Sequence, residues 1–578
     1  MNVSEQLLQI LSDEGVKNIF GIAGDALNPL IDAIADQEQV KWVKVKHEGN
    51  ASFAAFAQGA LGELGVCAST VGPGALHLVN GLYNAKKERS PVLAITGQVP
   101  IEFIGTAYHQ EVNLTKVFDD ICDYQAVIRS PEEAPRVILR ALKIAINNKA
   151  VCRIELPADI AEMPAANQSY VHKIHRSTSS IVPPMEEITE LAFLLNNREK
   201  IGILAGAGCR EAKDEVLDLA RKIKAPITHT VRSSDIFDHE TDQVVGLTGL
   251  IGNKSGYDTV MDSEVLIMLG TDFPYTDFLP NNTKIVQVDI QPENIGNRIP
   301  VDVGIHGDIK SVLTLLNPLI EEKETSDFLD AQEKEFNNWK KKNNELADPS
   351  RDMSPIHPEI IAKALSEIAS DDAIFVADTG TSTIWSTNFM NFNNDRRLIG
   401  SFNHGSMAVG LPVAIGAQLL YPEREVWALV GDGSFNMSLH DLSTAVEYGL
   451  PIKIIVLNNQ ELGFVKIEME EAGLAPNFEA LKMKNIDFHS YADLCGGKGF
   501  ELDKSEDVYH MINSMKNEKK PTVLNAHVTN GALSLPPKIG WKEASGFGSS
   551  KIKEIIKSIQ GDKAQWENIK AEVQAYFN

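Results

Sequence analysis

The sequence is poor in cysteine, in positive charge and in long apolar runs, and each shortage excludes a class of protein. Five cysteines are scattered over 578 residues without a C-x-x-C pair, so neither a disulfide framework nor a cysteine zinc site is expected. Lys and Arg number 54 against 79 Asp and Glu, for a net charge of −25. This balance argues against nucleic acid as the main partner, because phosphate contacts need cationic side chains.

No apolar run reaches the ~18 residues that a membrane-spanning helix needs. The first twenty residues mix acidic side chains into an amphipathic pattern, which is unlike a signal peptide. The predicted location is therefore the cytoplasm.

What the chain does contain is a series of short apolar runs that alternate with helix-like segments. These runs are apolar throughout, which is typical of parallel strands covered by helices on both faces. The sequence therefore predicts an α/β protein with doubly wound, mainly parallel sheets. The strand candidates are NIFGIAG, PVLAITGQ, VCRIELP, IGILAGAG, VLIMLG, KIVQVDI, AIFVAD, VWALVGDG and PIKIIVLNN.

Two polar segments that contain prolines, 167–184 and 337–358, are predicted to be linkers. At ~100–200 residues per domain, the chain is long enough for three or four domains. The simplest division is three doubly wound domains of about equal size and a C-terminal tail. Their predicted bounds are 1–166, 185–336 and 359–530, with the tail at 531–578.

The stretch WALVGDGSFNMSLHDL places a carboxylate, Asp432, between two glycines at the end of a predicted strand. Asn459 ends the next predicted strand, at the spacing of roughly 30 residues that a βαβ unit has. Carboxylate and amide oxygens suit Mg²⁺, while glycines and a helix N-terminus suit a diphosphate. Either piece alone fits a tight turn or a polar strand end, but together they favour a magnesium–diphosphate site.

The pairing of Gly431-Asp432-Gly433 with Asn458-Asn459 resembles the signature of thiamine-diphosphate-dependent enzymes. Four further segments resemble parts of that family: VKHEGNASFAAFAQG, VGPG (71–74), ADTGTS (377–382) and NHGSMAVGLPVAIGAQ (403–418). The resemblance covers essentially the whole chain. It is nearest to the pyruvate oxidase branch, in particular the bacterial pyruvate:quinone oxidoreductases.

The resemblance implies a role for Glu48, whose carboxyl group would bind N1′ of the cofactor's pyrimidine and help its amino group to deprotonate C2. That role needs a raised pKa, and the apolar surroundings ASFAAFA suit it. Without the magnesium motif, the simpler interpretation would be that Glu48 lies at a helix N-terminus, where the helix dipole stabilises its carboxylate. By the same resemblance, Mg²⁺ would be held by Asp432, Asn459 and the main-chain carbonyl of Glu461. The implied thiamine diphosphate contacts are Pro73, Gly380, Thr381, Ser382, Gly405, Ser406, Met407, Gly433, Ser434 and Gly463.

Gln110, Phe464, Val465 and Glu468 would line the substrate pocket by the same resemblance. The segment AYHQE (107–111) departs from the family because His109 stands where many relatives have an aromatic ring. His109 is either a packing substitute or a group that assists proton transfer near neutral pH.

The middle domain lacks the dinucleotide fingerprint, since Glu211 stands where G-x-G-x-x-G needs its last glycine. An FAD site there rests on resemblance to the flavin-binding segments of the pyruvate oxidase branch. Asp289 would accept a hydrogen bond from a ribose hydroxyl, or else cap a turn before Pro292. The implied FAD contacts are Thr248, Gly249, Leu250, Ile251, Thr271, Asp272, Phe273, Pro274, Tyr275 and Asp289.

The activity implied by the resemblance is oxidative decarboxylation of pyruvate to acetate and CO₂ through hydroxyethyl-thiamine diphosphate, with electrons passing through FAD to a quinone. Two alternatives remain open: an oxygen- and phosphate-dependent oxidase that forms acetyl phosphate and peroxide, and acetolactate synthase. A scaffold without activity is a third, against which the intact Glu48, Asp432 and Asn459 argue.

Relatives of this kind are homotetramers with active sites between chains, so the same assembly is expected. Trp566, Ile569, Val573 and Tyr576 fall at helical spacing in the tail. By resemblance, the tail would contact the inner face of the cell membrane as a peripheral attachment. Its nearly balanced charges fit a helix docked on its own protein equally well.

Overall fold

The computed structural model describes residues 1–166, 174–351, 354–393, 395–474, 476 and 478–531. The predicted tail, apart from Gly531, lies outside the described residues, and so does its stripe from Trp566 to Tyr576. The described chain builds three six-stranded sheets in which every strand pair is parallel. Helices cover their faces, which confirms the predicted fold class.

The first sheet has the strand order β2-β1-β3-β4-β6-β5. Its strands are β1 (Asn18–Gly21), β2 (Lys41–Lys44), β3 (Gly65–Ser69), β4 (Val92–Gln98), β5 (Tyr124–Val127) and β6 (Val151–Pro157). Its helices are α1 (Val3–Asp13), α2 (Asn28–Ala35), α3 (Glu48–Ala60), α4 (Pro73–His77), α5 (Val79–Lys87), α6 (Leu114–Val117), α7 (Ala134–Asn148) and α8 (Ala158–Glu162).

The middle sheet has the order β12-β11-β10-β7-β8-β9, which is that of dinucleotide-binding folds. Its strands are β7 (Ile201–Ala205), β8 (Ile227–His229), β9 (Val244–Leu247), β10 (Val265–Leu269), β11 (Lys284–Asp289) and β12 (Val303–His306). Its helices are α9 (Met185–Asn196), α10 (Lys213–Ile223), α11 (Lys254–Met261), α12 (Ile309–Leu316) and α13 (Asp327–Leu346).

The third sheet repeats the topology of the first, in the order β14-β13-β15-β16-β18-β17. Its strands are β13 (Ile374–Ala377), β14 (Arg397–Gly400), β15 (Val426–Gly431), β16 (Lys453–Asn458), β17 (Lys498–Leu502) and β18 (Thr522–His527). Its helices are α14 (Pro358–Ile368), α15 (Thr381–Phe389), α16 (Gly410–Leu420), α17 (Asp432–Ser438), α18 (Leu442–Glu447), α19 (Gly463–Glu471), α20 (Phe478–Leu481), α21 (Phe488–Leu494) and α22 (Val508–Asn517).

Each of the nine predicted apolar runs contains a strand. The segment 337–358 differs from its prediction as a linker, because α13 continues through its first ten residues. Buried Leu329 and Phe336 lie on this helix and pack it against the rest of the chain, which its charged composition concealed. The domain boundaries themselves stay a prediction.

The first and third sheets are joined through the α3–α16 helix pair. A Cβ on Gly416 of α16 would lie 2.2 Å from the main-chain oxygen of Ala54 of α3, so the two backbones touch. Such an approach is possible because glycine has no side chain. Residues of both helices share one hydrophobic core, and α3 is buried along nearly its whole length. Glu48 therefore begins a helix that is held rigidly inside the molecule.

All five cysteines are free thiols. Each helix in the described part of the chain is too short or too polar to span a lipid bilayer.

Candidate functional site

Asp432 and Asn459 follow the carboxyl ends of two neighbouring parallel strands. Gly431 of β15 lies opposite Leu457 of β16, so the residues after them emerge at the same edge of the third sheet. The main-chain N–H of Gln460 donates to Oδ2 of Asp432 at 3.0 Å. Oδ1 of Asn459 accepts from the N–H of Glu461 at 3.1 Å. The two strand ends are thus joined at the point where the sequence predicts a metal.

The electrostatics of Asp432 favour a bound cation. Its side chain is buried, with 4% of the residue exposed, and burial raises the pKa of this carboxyl to about 6. The pKa is also raised, by a smaller amount, by the neighbouring charge of Glu461. A buried carboxylate without a counterion is costly, and a divalent cation removes that cost.

Three glycines in loops of the third domain leave open space beside the backbone. A Cβ added to Gly380, Gly405 or Gly431 would meet no heavy atom within 4 Å. Gly380 and Gly405 also have positive φ angles of 129° and 70°, which favour glycine. The hydroxyl of Thr379, next to Gly380, is buried and has no hydrogen-bond partner among the described residues. The space beside these glycines, the unpaired hydroxyl of Thr379 and the side-chain oxygens of Asp432 and Asn459 suit a diphosphate bound with Mg²⁺.

Asp378 connects the loops of this cradle, and sequence reasoning missed it. Its carboxylate is fully buried and accepts from the N–H groups of Thr379 and Gly410, both at 2.8 Å. Burial raises its pKa to about 6. The hydroxyl of Ser434 reaches the oxygen of Thr379 at 3.4 Å. Asp378 follows β13 as Asp432 follows β15, and this parallel was the signal available in the sequence.

A cleft on the same side of the third sheet contains three of the predicted residues, Thr381, Asn459 and Gly463. It is also lined by Lys466, which the sequence analysis did not single out. On α19, Phe464 is half-buried, whereas Val465 and Glu468 are exposed. A Cβ on Gly433 would lie 3.5 Å from the methyl carbon of Met407, so Met407 borders the same space. The structure therefore groups most of the predicted cofactor contacts of the third domain.

Glu48 lies at the first position of α3, where His47 caps the helix by accepting from the N–H of Gly49 at 3.0 Å. Nδ1 of His77 lies 2.9 Å from Oε2 of Glu48. The rings of His47 and His77 stack with their centroids 4.4 Å apart. The pKa of His47 is lowered, first by burial and second by the charge of the neighbouring His77. His77 was missed from the sequence because 29 residues separate it from Glu48.

Pro73 and Gln110 lie near this glutamate rather than near Asp432. A Cβ on Gly74 would lie 3.0 Å from Oε1 of Glu48, and one on Gly72 would lie 2.4 Å from the oxygen of Gln110. Gln110 has a φ of 63°, and His109 beside it is exposed. Among the described residues of one chain, no hydrogen bond or ion pair joins the Glu48 carboxylate to the Asp432 loop. The residues predicted for the thiamine diphosphate and substrate site therefore form two groups, one on each of the two matching sheets.

The predicted flavin contacts lie at the carboxyl edge of the middle sheet. Thr248–Ile251 follow β9, Thr271–Tyr275 follow β10, and Asp289 ends β11. The hydroxyl of Thr248 is buried without a hydrogen-bond partner among the described residues. Oδ1 of Asp289 accepts from the N–H of Gln291 at 2.9 Å, so its turn-capping role is present. Burial raises the pKa of Asp289.

The loop Thr248–Ile251 contacts the third domain, because the side-chain amide of Asn388 on α15 donates to the main-chain oxygen of Ile251 at 3.2 Å. The pKa of the Tyr275 hydroxyl is raised, first by partial burial and then by the charge of Glu468. The ring of Phe273 lies 5.6 Å from that of Tyr275, between centroids. Asp272 instead forms an ion pair with Arg298 at 2.9 Å, which occupies its carboxylate.

Comparison with known proteins matches all three sheets to domain families. Residues 1–120 match the N-terminal thiamine pyrophosphate binding domain, 188–316 the central domain of these enzymes, and 378–526 the C-terminal thiamine pyrophosphate binding domain. The Bacillus subtilis protein YdaP is 34% identical to this chain over 99% of both chains.

Two relatives with named activities also align along most of their length. Pyruvate oxidase of Lactiplantibacillus plantarum is 28% identical over 92% of this chain and 89% of its own. Acetolactate synthase of Mycobacterium avium is 29% identical over 95% of this chain and 90% of its own. The domain matches, the full-length relative and the cradle around Asp432 agree, and the chain belongs to the thiamine pyrophosphate enzyme family.

Proposed function

We propose that this protein oxidises pyruvate to acetate and CO₂ with bound thiamine diphosphate, Mg²⁺ and FAD, and passes the electrons to a quinone. The observation that carries the proposal is the hydrogen bond that the side-chain amide of Asn388 donates to the main-chain oxygen of Ile251, at 3.2 Å. It brings the carboxyl edge of a sheet with dinucleotide-binding topology against α15, the helix that begins at Thr381 in the proposed thiamine diphosphate cradle. A redox cofactor on that edge would lie next to the site of decarboxylation.

Thiamine diphosphate supplies an electron sink for loss of CO₂ from a 2-keto acid, and FAD supplies a two-electron acceptor. In our proposal, Asp432, Asn459 and the carbonyl of Glu461 hold Mg²⁺. The open backbone at Gly380 and Gly431, with the hydroxyls of Thr381, Ser382 and Ser434, receives the diphosphate. Gly405, Ser406 and Met407 support the rings, and Gly433 and Gly463 complete the cradle.

Glu48 holds a proton for the pyrimidine, and its carboxyl group orients that ring. Pro73 and Gln110 lie beside it, and Gln110 with Phe464, Val465 and Glu468 lines the substrate pocket. Because one chain keeps Glu48 and Asp432 in separate groups, we propose that each complete site forms between two chains of a homotetramer. A mass near four times 63.4 kDa in light scattering supports this assembly, and a monomer contradicts it.

For FAD we propose the loops Thr248–Ile251 and Thr271–Tyr275 together with Asp289. The orphaned hydroxyl of Thr248 is a group that a polar ligand would satisfy. The similarity to the pyruvate oxidase of Lactiplantibacillus plantarum supports an oxidation of pyruvate. The alternative within this reaction class is an enzyme that uses oxygen as the electron acceptor and forms acetyl phosphate.

Acetolactate synthase is the second candidate, favoured by the similar identity and coverage of the Mycobacterium avium enzyme. It would join two pyruvate-derived units without reducing an external acceptor. The two candidates differ in whether substrate reduces a bound flavin.

The experiment is to purify the protein with thiamine diphosphate and Mg²⁺, record the visible spectrum, and add pyruvate without oxygen. A flavin spectrum that bleaches, and recovers with a quinone analogue while acetate accumulates, is the expected result. Recovery with oxygen and phosphate, with acetyl phosphate as product, would favour the alternative oxidase. A colourless protein that forms acetolactate contradicts the proposal. Glu48→Gln is the control, because it should keep the flavin colour and lose the bleaching.

We also propose peripheral attachment to the inner face of the cell membrane, with the tail as the contact. Co-sedimentation of the full chain with phospholipid vesicles, compared with a chain ending at residue 531, measures it. Equal sedimentation of the two chains contradicts the attachment.

A further inference from the structure

Imidazoles and carboxylates meet at the carboxyl ends of β17 and β18, in a group that the thiamine diphosphate chemistry does not use. The group consists of Glu501, Asp503 and His527, whose ligand atoms all lie within 4.8 Å of one another, together with His489 of α21. We call these four residues the β17–β18 cluster.

The strand register explains why these side chains meet. Glu501 of β17 lies opposite Asn525 of β18, in parallel pairing. Side chains alternate between the faces of a strand, so Glu501 and Asp503 share one face with Asn525 and His527. Leu502, between the two acids, is buried on the opposite face. Helix α21 lies against both strands and brings His489 to the same face.

The distances within the cluster suit a metal better than direct ion pairs. Nε2 of His527 lies 3.4 Å from Oε1 of Glu501 and 3.9 Å from Oδ1 of Asp503. Nε2 of His489 lies 3.9 Å from the other oxygen of Glu501. Charge-assisted N–H···O bonds have lengths of about 2.7–2.9 Å. Bonds of about 2.0–2.1 Å to a tetrahedral ion place ligand atoms about 3.3 Å apart, close to the shorter of these distances.

The charges of the cluster also call for a cation. In the described structure, the ion-pair partners of Glu501 and Asp503 are imidazoles, and neither acid pairs with Lys or Arg. A third acid, Asp487, lies 2.7 Å from Nδ1 of His489. Three carboxylates therefore face two imidazoles. The side chains of Glu501 and Asp503 are 48% and 65% exposed, which leaves an entry path, while both imidazoles are largely covered.

We propose that the β17–β18 cluster binds one Zn²⁺ or similar first-row transition-metal ion per chain, with His527, Glu501, Asp503 and His489 as ligands. Imidazole nitrogens select such ions over Mg²⁺, which takes oxygen ligands. The site is distinct from the Asp432 cradle, which offers oxygen ligands. It would join the edge strand β17 to α21 and β18. The inference does not depend on the proposed pyruvate chemistry.

A second group with metal-ligating side chains, His47, Glu48 and His77, contains the glutamate of the proposed thiamine diphosphate site, so the test needs a control for metal binding there. Nδ1 of His47 accepts from the N–H of Gly49, so the neutral ring carries its proton on Nε2. That proton makes His47 a poorer metal ligand. The variant His77→Gln removes this second group without touching the β17–β18 cluster.

The test is to titrate the full, untagged chain, saturated with thiamine diphosphate and Mg²⁺, with Zn²⁺ by calorimetry and with Co²⁺ by visible absorption. We expect one equivalent to bind, with Co²⁺ bands of a low-coordinate site. The affinity should fall at least tenfold in His527→Gln, Glu501→Gln and the exposed variant Asp503→Asn. It should be unchanged in His77→Gln and in His510→Gln, a matched substitution of an exposed histidine on α22.

Circular dichroism and the midpoint of thermal unfolding, both measured in the presence of a chelator, identify the variants that fold normally. If a variant within a strand does not fold, the exposed variant Asp503→Asn still tests the proposal. Absence of stoichiometric binding overturns the proposal. Equal affinity of the wild type and Asp503→Asn also overturns it, and so does loss of binding in His77→Gln alone.

Discussion

The main-chain N–H of Gln460 donates a hydrogen bond to Oδ2 of Asp432, at 3.0 Å, across the ends of β15 and β16. Gln460 adopts a φ of 58°, which is uncommon for a residue with a side chain. This backbone turn directs its N–H at the buried carboxylate and leaves Asn459 beside it. Strain of this kind persists where the surrounding structure requires it, as at binding sites.

Asp432→Asn should reduce the affinity for thiamine diphosphate in Mg²⁺ by at least about 100-fold, because the metal loses its charged ligand. The apoprotein should be as stable as the wild type or more so near pH 8, since burial raises the pKa of the carboxyl to about 6 and thereby makes its charge costly. Calorimetric titration and thermal unfolding measure the two effects. Asp371→Asn, at an exposed position, is the control. Unchanged cofactor affinity would remove Asp432 from the metal site.

Glu48→Gln should lower turnover of pyruvate by about 10²–10⁴-fold, because the amide cannot exchange the proton that the pyrimidine needs. Thiamine diphosphate should still bind within about tenfold, since the proposed diphosphate contacts lie in the third domain. Steady-state turnover and a binding titration separate the two quantities. The exposed Glu63→Gln variant should behave like the wild type. Full turnover in Glu48→Gln would reject the proton-transfer role.

Acidification should destabilise the protein through two buried histidines. Burial lowers the pKa of His229 to about 4 and that of His239 to about 3. The unfolded chain binds protons near pH 6.5, so it binds more than the folded chain once the pH falls below that value. The free energy of unfolding is therefore not reduced by these histidines above about pH 6.5. Below that value it declines toward pH 4, by on the order of 1.4 kcal/mol per pH unit for each histidine.

Urea unfolding between pH 7 and pH 4.5 measures this decline. His239 contacts the rings of Phe336 and Trp339, so His239→Leu should keep that packing and flatten the pH dependence. The exposed His306→Gln should leave the slope unchanged. An identical slope in His239→Leu would contradict the assignment.

Two glycine-to-alanine variants should separate folding from cofactor binding. Gly416→Ala places a Cβ 2.2 Å from a main-chain oxygen of α3, so it should force α3 and α16 apart and cost about 2 kcal/mol or more. Gly431→Ala meets no neighbour within 4 Å, so the apoprotein should unfold as the wild type does. It should instead weaken thiamine diphosphate binding about tenfold or more.

Thermal unfolding of both apoproteins and cofactor titration of Gly431→Ala provide the comparison. Equal unfolding midpoints for Gly416→Ala and the wild type would show that the helix contact tolerates a side chain. Wild-type cofactor affinity in Gly431→Ala would place the diphosphate elsewhere.

Much of the fold could be predicted because the relevant signals are local. A strand buried on both faces requires a continuous apolar run, and each of the nine predicted runs contains a strand. Strands such as β8, with three residues, and β17, with Lys498 and Glu501, carry too weak a pattern of this kind. The sequence predicts a linker at 337–358, which includes residues 337–346 of α13, because that segment is charged and broken by prolines.

The sequence by itself determined the α/β class and the glycine–aspartate turn at the end of β15, because such a turn depends on neighbouring residues alone. Only the tertiary structure decided that the first and third sheets share one topology, that His77 reaches Glu48, and that His527 meets Glu501. These contacts depend on strand order, register and helix packing. Such features arise from the burial of whole faces against one another, and short stretches of sequence do not encode them.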